Sequence, residues 1–388
     1  MNNMYFTEEH NLFRNSFQEF LKKEVVPHID KWEKTGTIDN FIWKKFGDMG
    51  FFGIHYPEAY GGLNLDLFYT VILQEELQKI NSGGFAAAVW AHVYLAMTHL
   101  NAEGSDAIKQ KYLAPSIAGE KIGCLCITEP SGGSDVAAMR TTAIKDGDYY
   151  VVNGSKTFIT NGVYSDYLVV AAKTNPELGN KGMSIFVVDR DTAGISATKL
   201  DKLGWRASDT AEIAFDNVKI PASNLLGEEN EGFGYILQHF SLERLVMGIN
   251  AHARAEYALD YVQNYMSERI TFGKPLDKYQ ALRHKFVDLY ADMEVCKQFN
   301  YSVAYRLEKG EYVVKEASIS KLKSTKMADE VIYECLQFLG GYGYMEDYPL
   351  ARLLRDSRLG PIGGGTSEIL REILSKIIID KKEYKPTT

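Results

Sequence analysis

The sequence is poor in the features that mark several classes of protein. Its 388 residues contain only four cysteines, and its 43 basic residues are outnumbered by 51 acidic ones. A net charge of -8 provides no basic surface of the kind that binds nucleic acid, so we expect no nucleic-acid partner. The cysteines lack the spacing of a zinc site, and we interpret them as reduced core residues of an intracellular protein.

Long apolar runs and targeting segments are also missing. No stretch is apolar enough to cross a bilayer, and residues 1–6 lack a basic region followed by an apolar run, so we expect no stable membrane insertion. These absences favour a bacterial cytoplasmic location and leave the mitochondrial matrix open. No glycine-rich dinucleotide fingerprint follows a strand, and no two histidines share metal-ligand spacing on one helix. We therefore predict no metal.

What the sequence does contain is a change of hydrophobic period that divides it into three regions. We predict an α+β protein with an N-terminal α-helical domain (1–120), a middle antiparallel β-barrel domain (121–230) and a C-terminal four-helix bundle (231–388). Helices are predicted at 8–26, 40–48, 67–80, 85–100, 233–269, 279–309, 313–339 and 366–379. Strands are predicted at 122–128, 141–145, 148–152, 156–159, 166–173, 183–189, 196–203 and 211–220, with Asp146-Gly147 as a tight hairpin turn.

A run of three glycines, Gly363-Gly364-Gly365, separates two segments with helical patterns. Glycine lets backbone N–H groups approach a ligand without interference from a Cβ atom, and Thr366 with Ser367 can open the following helix. The run is either a flexible connector or a backbone platform for a ligand.

Residues 127–135, ITEPSGGSD, leave a strand and enter a turn rich in glycine and short hydroxyl side chains. Such a turn offers backbone N–H groups and the hydroxyls of Thr128 and Ser134 to a polar ligand, although an ordinary proline-glycine turn has the same pattern. Phe158 and Thr160 would add an aromatic face and a hydroxyl on a nearby strand. A flat, hydrogen-bonding ring suits this combination.

Six motifs in a fixed order resemble the signatures of the acyl-CoA dehydrogenase family. They are ITEPSGGSD at 127–135, KTFITNG at 156–162, ERITFGK at 268–274, QFLGGYG at 337–343, RD at 355–356 and GTSEI at 365–369. The resemblance extends over nearly the whole chain. It implies bound FAD, an acyl-CoA thioester substrate, electron transfer flavoprotein as the electron acceptor, and a homotetramer built as a dimer of dimers.

The resemblance assigns FAD-binding roles to two groups of residues. One group would hold the flavin ring and ribityl chain, with Thr128 and Thr160 bonded to the ring: Leu125, Cys126, Ile127, Thr128, Gly133, Ser134, Phe158, Ile159 and Thr160. The other would reach the FAD of a neighbouring subunit: Arg269, Thr271, Gln280, Gln337, Gly340 and Gly341. Phe158 departs from the family, since many relatives have tryptophan there. Thr366 and Glu368 would also approach FAD.

The catalytic base is the second departure. Many family members place this carboxylate directly before the Gly-Thr-Ser of the glycine loop, where this chain has Gly364. Relatives of the long-chain and isovaleryl types instead use a glutamate before an arginine on another helix, which corresponds to Glu243 and Arg244. From the residues alone, a Glu-Arg pair on a long helix is more often a solvated face, although the apolar neighbours Leu242, Leu245, Val246 and Ile249 indicate a largely packed helix. Gly364 keeps the role of a backbone N–H donor to the thioester oxygen, and Ser134, Ser241, Arg244 and Gly365 would bind substrate.

The resemblance implies α,β-dehydrogenation of a medium-chain or long-chain acyl-CoA to the trans-2-enoyl-CoA, as in the β-oxidation of fatty acids. A branched short-chain substrate of the isovaleryl type stays open, as do an acyl-CoA oxidase-like reaction and a catalytically silent flavoprotein that acts as a binding partner. We interpret Asp347 and Asp356 as structural, with Asp356 in an ion network with Arg355 and Arg358.

Overall fold

The computed structural model describes residues 4–383. The outer bounds of the first and last predicted domains, and the end of the polar tail, lie outside these residues. None of the helices in the described part of the chain has the length and apolar character needed to cross a membrane. All four cysteines are free thiols, and three of them are buried.

The first region is helical, as its hydrophobic period predicts. Its helices are α1 Glu8–Phe20, α2 Ile29–Thr35, α3 Phe41–Asp48, α4 Leu67–Lys79, α5 Gly83–Trp90, α6 Met97–Glu103, α7 Asp106–Ile108 and α8 Ala114–Ile117. Thr7 caps α1, where its side chain accepts from the His10 N–H, and a π-helical segment, Ala91–Ala96, joins α5 to α6. Pro27 lies in a short 3₁₀ turn that leads on to α2, because proline fits the first turn of a helix.

The middle region contains β1 Gly123–Cys126, β2 Thr142–Asp146, β3 Tyr149–Thr160, β4 Tyr167–Lys173, β5 Met183–Asp189, β6 Ile195–Lys199, β7 Thr210–Pro221 and β8 Leu225–Leu226. The predicted turn at Asp146-Gly147 joins β2 to β3, and Gly147 has a φ of +60°. Two predicted strands, 148–152 and 156–159, are a single strand, β3, which is interrupted by irregular register.

The sheet differs from the predicted antiparallel barrel in two respects. Its strand order is β6-β7-β3-β2-β4-β5-β8, and this path does not close within the described residues. In addition, β1 pairs with β4 in parallel, and β2 meets β4 in parallel through Thr142 and Lys173. Alternation of side chains predicts a strand but not the direction of its partner, since both pairings give the same period.

The third region contains α9 Gly232–Glu268, the hairpin β9 Ile270–Thr271 and β10 Lys274–Pro275, α10 Gln280–Glu308, α11 Val314–Phe338, α12 Pro349–Ser357 and α13 Ser367–Ile378. Helix α12 was not predicted, and it separates α11 from the glycine loop. The other four helices match the predicted segments to within a few residues. The result is the predicted helical bundle.

One apolar core joins all three regions near the middle of α9. It includes Phe85 of α5, Val169 of β4, and Val246 and Met247 of α9. The turn of α9 that carries Glu243 therefore lies where the helical and β regions meet.

Candidate functional site

Glu243 is buried on α9, in the part of the chain that the structure describes. Its exposure is 6%, and no described residue forms a salt bridge or hydrogen bond with its carboxylate. Burial raises the pKa of Glu243 to about 7, although the charges of His239 and Arg244 oppose this shift. A carboxylate with a pKa near neutrality can accept a proton from carbon and later release it, as a general base must.

The glycine loop contacts the same face of α9. A Cβ atom on Gly364 would lie 2.5 Å from the Sδ of Met247, and Met247 follows Glu243 by one helical turn. Gly364 has a φ of +60° and Gly365 has a φ of +91°, so both occupy a conformation that favours glycine. No described group accepts a hydrogen bond from the Gly364 N–H. The loop therefore brings a free backbone donor to the region of the carboxylate.

Lys321 of α11 holds the loop from the other side. Its Nζ donates to the carbonyl oxygen of Gly365, and its side chain is buried. Burial lowers the pKa of Lys321 to about 7, and the charge of Arg244 acts in the same direction. Lys321 fixes the glycine loop against α11, and sequence reasoning missed this residue because its contact is with a backbone atom far along the chain.

Ser241 and Arg244 lie on the same stretch of α9 as Glu243, as predicted. Arg244 donates from Nη1 to the Ser318 hydroxyl at 3.4 Å and lies 5.2 Å from the centre of the Phe240 ring. The Ser241 hydroxyl is buried and has no hydrogen-bond partner in the described part of the chain. An unsatisfied buried hydroxyl is costly, which is consistent with a polar ligand at this position.

The two segments predicted to hold a ring lie side by side. The Thr157 N–H donates to the Thr128 carbonyl at 2.9 Å, and a Cβ atom on Gly133 would lie 3.4 Å from Thr128 Cγ2. Phe158 has a φ of +61°, and 69% of the residue is exposed. A large aromatic side chain held outward beside a turn rich in N–H and hydroxyl groups fits a flat ring system.

The remaining residues of this group surround that surface in different ways. Leu125 and Ile127 pack against the large core, whereas the Cys126 and Ile159 side chains point into the interior of the β region. Ser134 is exposed, and Thr160 pairs with Thr210 of β7. Cys126 and Ile159 could therefore meet a ligand only through their backbone atoms.

Glu129 and Lys156 anchor the turn from beneath. Lys156 Nζ donates to Glu129 Oε1 at 2.9 Å and to the Ile127 carbonyl at 3.0 Å, and Glu129 also accepts from the N–H groups of Arg140 and Thr141. Burial alone would raise the pKa of Glu129, but the Lys156 charge and these hydrogen bonds outweigh it and lower the pKa. Both residues lie within predicted motifs, yet sequence reasoning gave neither one a role.

The second predicted group forms a groove of about 470 Å³ at the far end of α9 and α11. Five of its members line the groove: Arg269, Thr271, Gln337, Gly340 and Gly341. The Arg269 guanidinium lies 5.5 Å from the centre of the Tyr342 ring. Gln280 is exposed at the start of α10 and is not among the lining residues. The positive charge of Arg269 makes the groove suitable for an anionic group.

Two predicted residues have roles that the structure specifies further. The Thr366 hydroxyl caps α13 by accepting from the Ile369 N–H at 3.3 Å, and the exposed Glu368 pairs with Arg371.

Asp356 does not form the predicted ion network. Instead it accepts from the N–H groups of Gly83 and Trp205 and joins α12 to the other two regions. Arg355 and Arg358 pair with Glu346 and Asp329.

Comparisons with known proteins identify the class. The models of the acyl-CoA dehydrogenase N-terminal, middle and C-terminal domains match residues 7–120, 124–218 and 230–379. The chain is thus a flavoprotein oxidoreductase that acts on acyl-CoA. It belongs to the acyl-CoA dehydrogenase family.

Three curated relatives have nearly equal identity to the chain. The mitochondrial long-chain specific acyl-CoA dehydrogenase of Sus scrofa is 38% identical, with 97% of this chain and 88% of that protein covered. The mitochondrial isovaleryl-CoA dehydrogenase of Solanum tuberosum is 37% identical, with 96% and 91% covered. The 3-(aryl)acrylate reductase of Clostridium sporogenes is 37% identical, with 97% and 100% covered.

Solved structures have the same fold. An acyl-CoA dehydrogenase from Geobacillus kaustophilus has a TM-score of 0.94 at 40% identity, with 97% of this chain and 99% of that chain covered. A glutaryl-CoA dehydrogenase from Mycobacterium smegmatis, in complex with FADH2, has a TM-score of 0.92 at 28% identity, with 99% and 98% covered. A structure described as an electron transferring flavoprotein of Acidaminococcus fermentans has a TM-score of 0.93 at 34% identity, with 97% and 99% covered.

Proposed function

We propose that this protein oxidises an acyl-CoA thioester to the trans-2-enoyl-CoA, with Glu243 as the base that removes the α-proton. The observation that carries this proposal is the buried Glu243 carboxylate, which has no ionic partner among the described residues and has a pKa raised to about 7. A family member without a carboxylate at position 364 needs its base elsewhere, and Glu243 lies one turn from the residue that contacts Gly364.

FAD is the cofactor that we infer. Phe158, Thr128 and Thr160 would hold its flavin ring, and the backbone of residues 125–127, 133–134 and 159 would border it. When bound, FAD supplies the acceptor for the hydride that leaves the β-carbon. A second FAD, carried by a neighbouring subunit, would place its anionic part in the groove lined by Arg269, Thr271, Gln337, Gly340 and Gly341. Gln280 would reach that FAD from outside the groove, at the start of α10.

The proton step depends on charge placement. The α C–H group of a thioester is a very weak acid, and its conjugate base places negative charge on the thioester oxygen. The Gly364 N–H, which has no acceptor in the described structure, would donate to that oxygen. Glu243 takes the proton in a dry environment, where a carboxylate is a stronger base than it is in water. Ser241, Arg244, Gly365 and Ser134 would position the thioester and the CoA moiety.

A medium or long acyl chain is our preferred substrate. The long-chain relative supports it, whereas the isovaleryl relative of nearly equal identity supports a branched short chain instead. Turnover of straight-chain acyl-CoAs of increasing length, measured beside isovaleryl-CoA, separates the two. Highest kcat/KM for isovaleryl-CoA would overturn the preference.

We also infer a homotetramer that passes electrons to electron transfer flavoprotein, in a bacterial cytoplasm or a mitochondrial matrix. This electron partner is the one that the resemblance of the sequence motifs to the acyl-CoA dehydrogenase family implies. Rapid reaction of the reduced protein with oxygen would instead favour the oxidase-like alternative. A purified yellow protein that no acyl-CoA bleaches under anaerobic conditions would favour the silent flavoprotein.

Replacement of the base tests the mechanism. We expect Glu243→Gln to lower kcat at least about 100-fold with full FAD occupancy, because an amide cannot accept the α-proton. Asp260→Asn, on the exposed part of the same helix, serves as the matched control and should retain turnover. The wild-type kcat/KM should fall below a pH of about 7, where Glu243 becomes protonated. Near-wild-type turnover of Glu243→Gln would refute the assignment.

A further inference from the structure

Two histidines and a glutamate from distant parts of the chain meet beside the turn that precedes Glu243. His99 and Glu103 lie four residues apart on α6 and therefore on one face of that helix. His239 lies on α9, one turn before Glu243. His99 Nδ1 is 3.2 Å from Glu103 Oε2, and His239 Nε2 is 2.9 Å from Glu103 Oε1. The carboxylate thus lies between two imidazoles.

We propose that His99, Glu103 and His239 form a binding site for a divalent transition-metal ion such as Zn²⁺. Each residue offers one ligand atom, and these atoms all lie within 4.8 Å of one another. In a tetrahedral zinc site, bonds of about 2.1 Å separate neighbouring ligand atoms by about 3.4 Å. His99 Nδ1 and His239 Nε2 lie 3.2 and 2.9 Å from different oxygens of Glu103, so each imidazole is already near this separation from the oxygen that it faces. Small movements of the three side chains would bring one oxygen, or both, and the two nitrogens around a common ion.

The ligand types select the class of ion. Two imidazoles and one carboxylate suit Zn²⁺ and its transition-metal neighbours, whereas Mg²⁺ and Ca²⁺ prefer oxygen ligands alone. Three protein ligands leave a coordination position for water. The pair on α6 has the spacing that also places two metal ligands on one face of a helix in known zinc enzymes.

The surroundings allow an ion to enter and hold the ligands in place. The His239 side chain is 14% exposed, whereas those of His99 and Glu103 are 1% and 6% exposed. The two imidazole rings are perpendicular, with centres 4.8 Å apart. The Gly227 N–H donates to the Glu103 carbonyl at 2.8 Å and joins the end of α6 to the segment before α9. A bound ion would therefore bridge α6 and α9 beside the proposed base. The inference of a metal site rests on these contacts and not on the proposed reaction.

The prediction of no metal from the sequence rests on pairs of histidines on one helix. His99 and Glu103 do have ligand spacing on one helix, but their partner, His239, is 136 residues from Glu103. No local sequence pattern therefore indicates that His239 lies beside His99 and Glu103.

Zinc titration of the untagged, FAD-loaded protein by calorimetry tests the site. We expect one Zn²⁺ per chain, and we expect His239→Gln and Glu103→Gln to weaken binding by about 100-fold or more. His284→Gln, which removes an exposed histidine of α10, is the matched control and should bind zinc as the wild type does.

Two further measurements locate the ion. Crystals soaked in zinc should give an anomalous peak between the three side chains. Zinc should also raise the unfolding temperature of the wild type and His284→Gln but not of His239→Gln, since an ion that binds only the folded state stabilises it. No zinc binding by the wild type, equal binding by His239→Gln, or an anomalous peak elsewhere would overturn the proposal.

Discussion

Glu129 and Glu243 are buried to almost the same degree, at 5% and 6% exposure, yet their surroundings give them opposite properties. Glu129 lies under the turn of the β region, where Lys156 and two backbone N–H groups stabilise its charge and lower its pKa. Glu243 lies on α9, where residues 4–383 provide no such partner, and burial raises its pKa to about 7. Partners, and not burial alone, separate a structural carboxylate from a candidate base.

The largest effect on stability should come from Glu129→Gln. This change leaves the buried Lys156 without a counter-charge, and loss of one member of a buried ion pair typically costs about 3 kcal/mol or more. Urea denaturation should show that loss at pH 7, together with weaker FAD binding because the turn at 127–135 loses its anchor. Glu212→Gln, on an exposed position of β7, is the control. Unchanged stability and FAD affinity would show that Lys156 alone positions the turn.

Glu243→Gln should have the opposite effect on stability: it should stabilise the folded protein, whereas Glu129→Gln destabilises it. The folded-state pKa of Glu243 is about 7 and the ordinary value is 4.5, so ionisation of the folded protein costs about 3 kcal/mol once the pH exceeds 7. Below pH 4.5 both states are protonated and the cost vanishes. The variant, at matched FAD occupancy, should therefore unfold at a higher denaturant concentration than the wild type at pH 8 but not at pH 4.5. Destabilisation at pH 8 would mean that the carboxylate has a stabilising partner.

Lys321→Met should have the smallest energetic effect of the three variants, and it should act on the rate of turnover. The change removes the donor to the Gly365 carbonyl, which loosens the glycine loop without altering Glu243. We expect kcat to fall about tenfold, equivalent to about 1.4 kcal/mol in the activation barrier, with FAD still bound. Lys323→Met, an exposed lysine on the same helix, is the control and should leave kcat unchanged. An effect on KM alone would place Lys321 in substrate binding instead.

Local chemistry made much of the fold predictable. The hydrophobic period of 233–269 predicts α9, and Asp146-Gly147 predicts the β2–β3 turn, because each signal depends on residues that are close in sequence. Strand direction was less accessible. The parallel pairing of β1 with β4 joins segments about 40 residues apart, and a two-residue period does not encode it.

Some residues of the candidate site were predictable from the sequence, and others were not. The sequence motifs and their resemblance to a family point to Glu243, Gly364 and the groove residue Arg269, and the roles of these three residues stay predictions. The contacts of Lys321, of Met247, and of His239 with Glu103 were inaccessible from the sequence, because each crosses from one helix to another or to a loop.

The sequence by itself determined the order of helical and β regions, the family, and the absence of a carboxylate side chain at Gly364. Only the tertiary structure decided that Glu243 is dry and without an ionic partner among the described residues, while Glu129 is dry and paired. The physical reason is that a carboxylate's pKa depends on solvent exclusion and on charges within a few ångströms, and these are set by packing between distant segments.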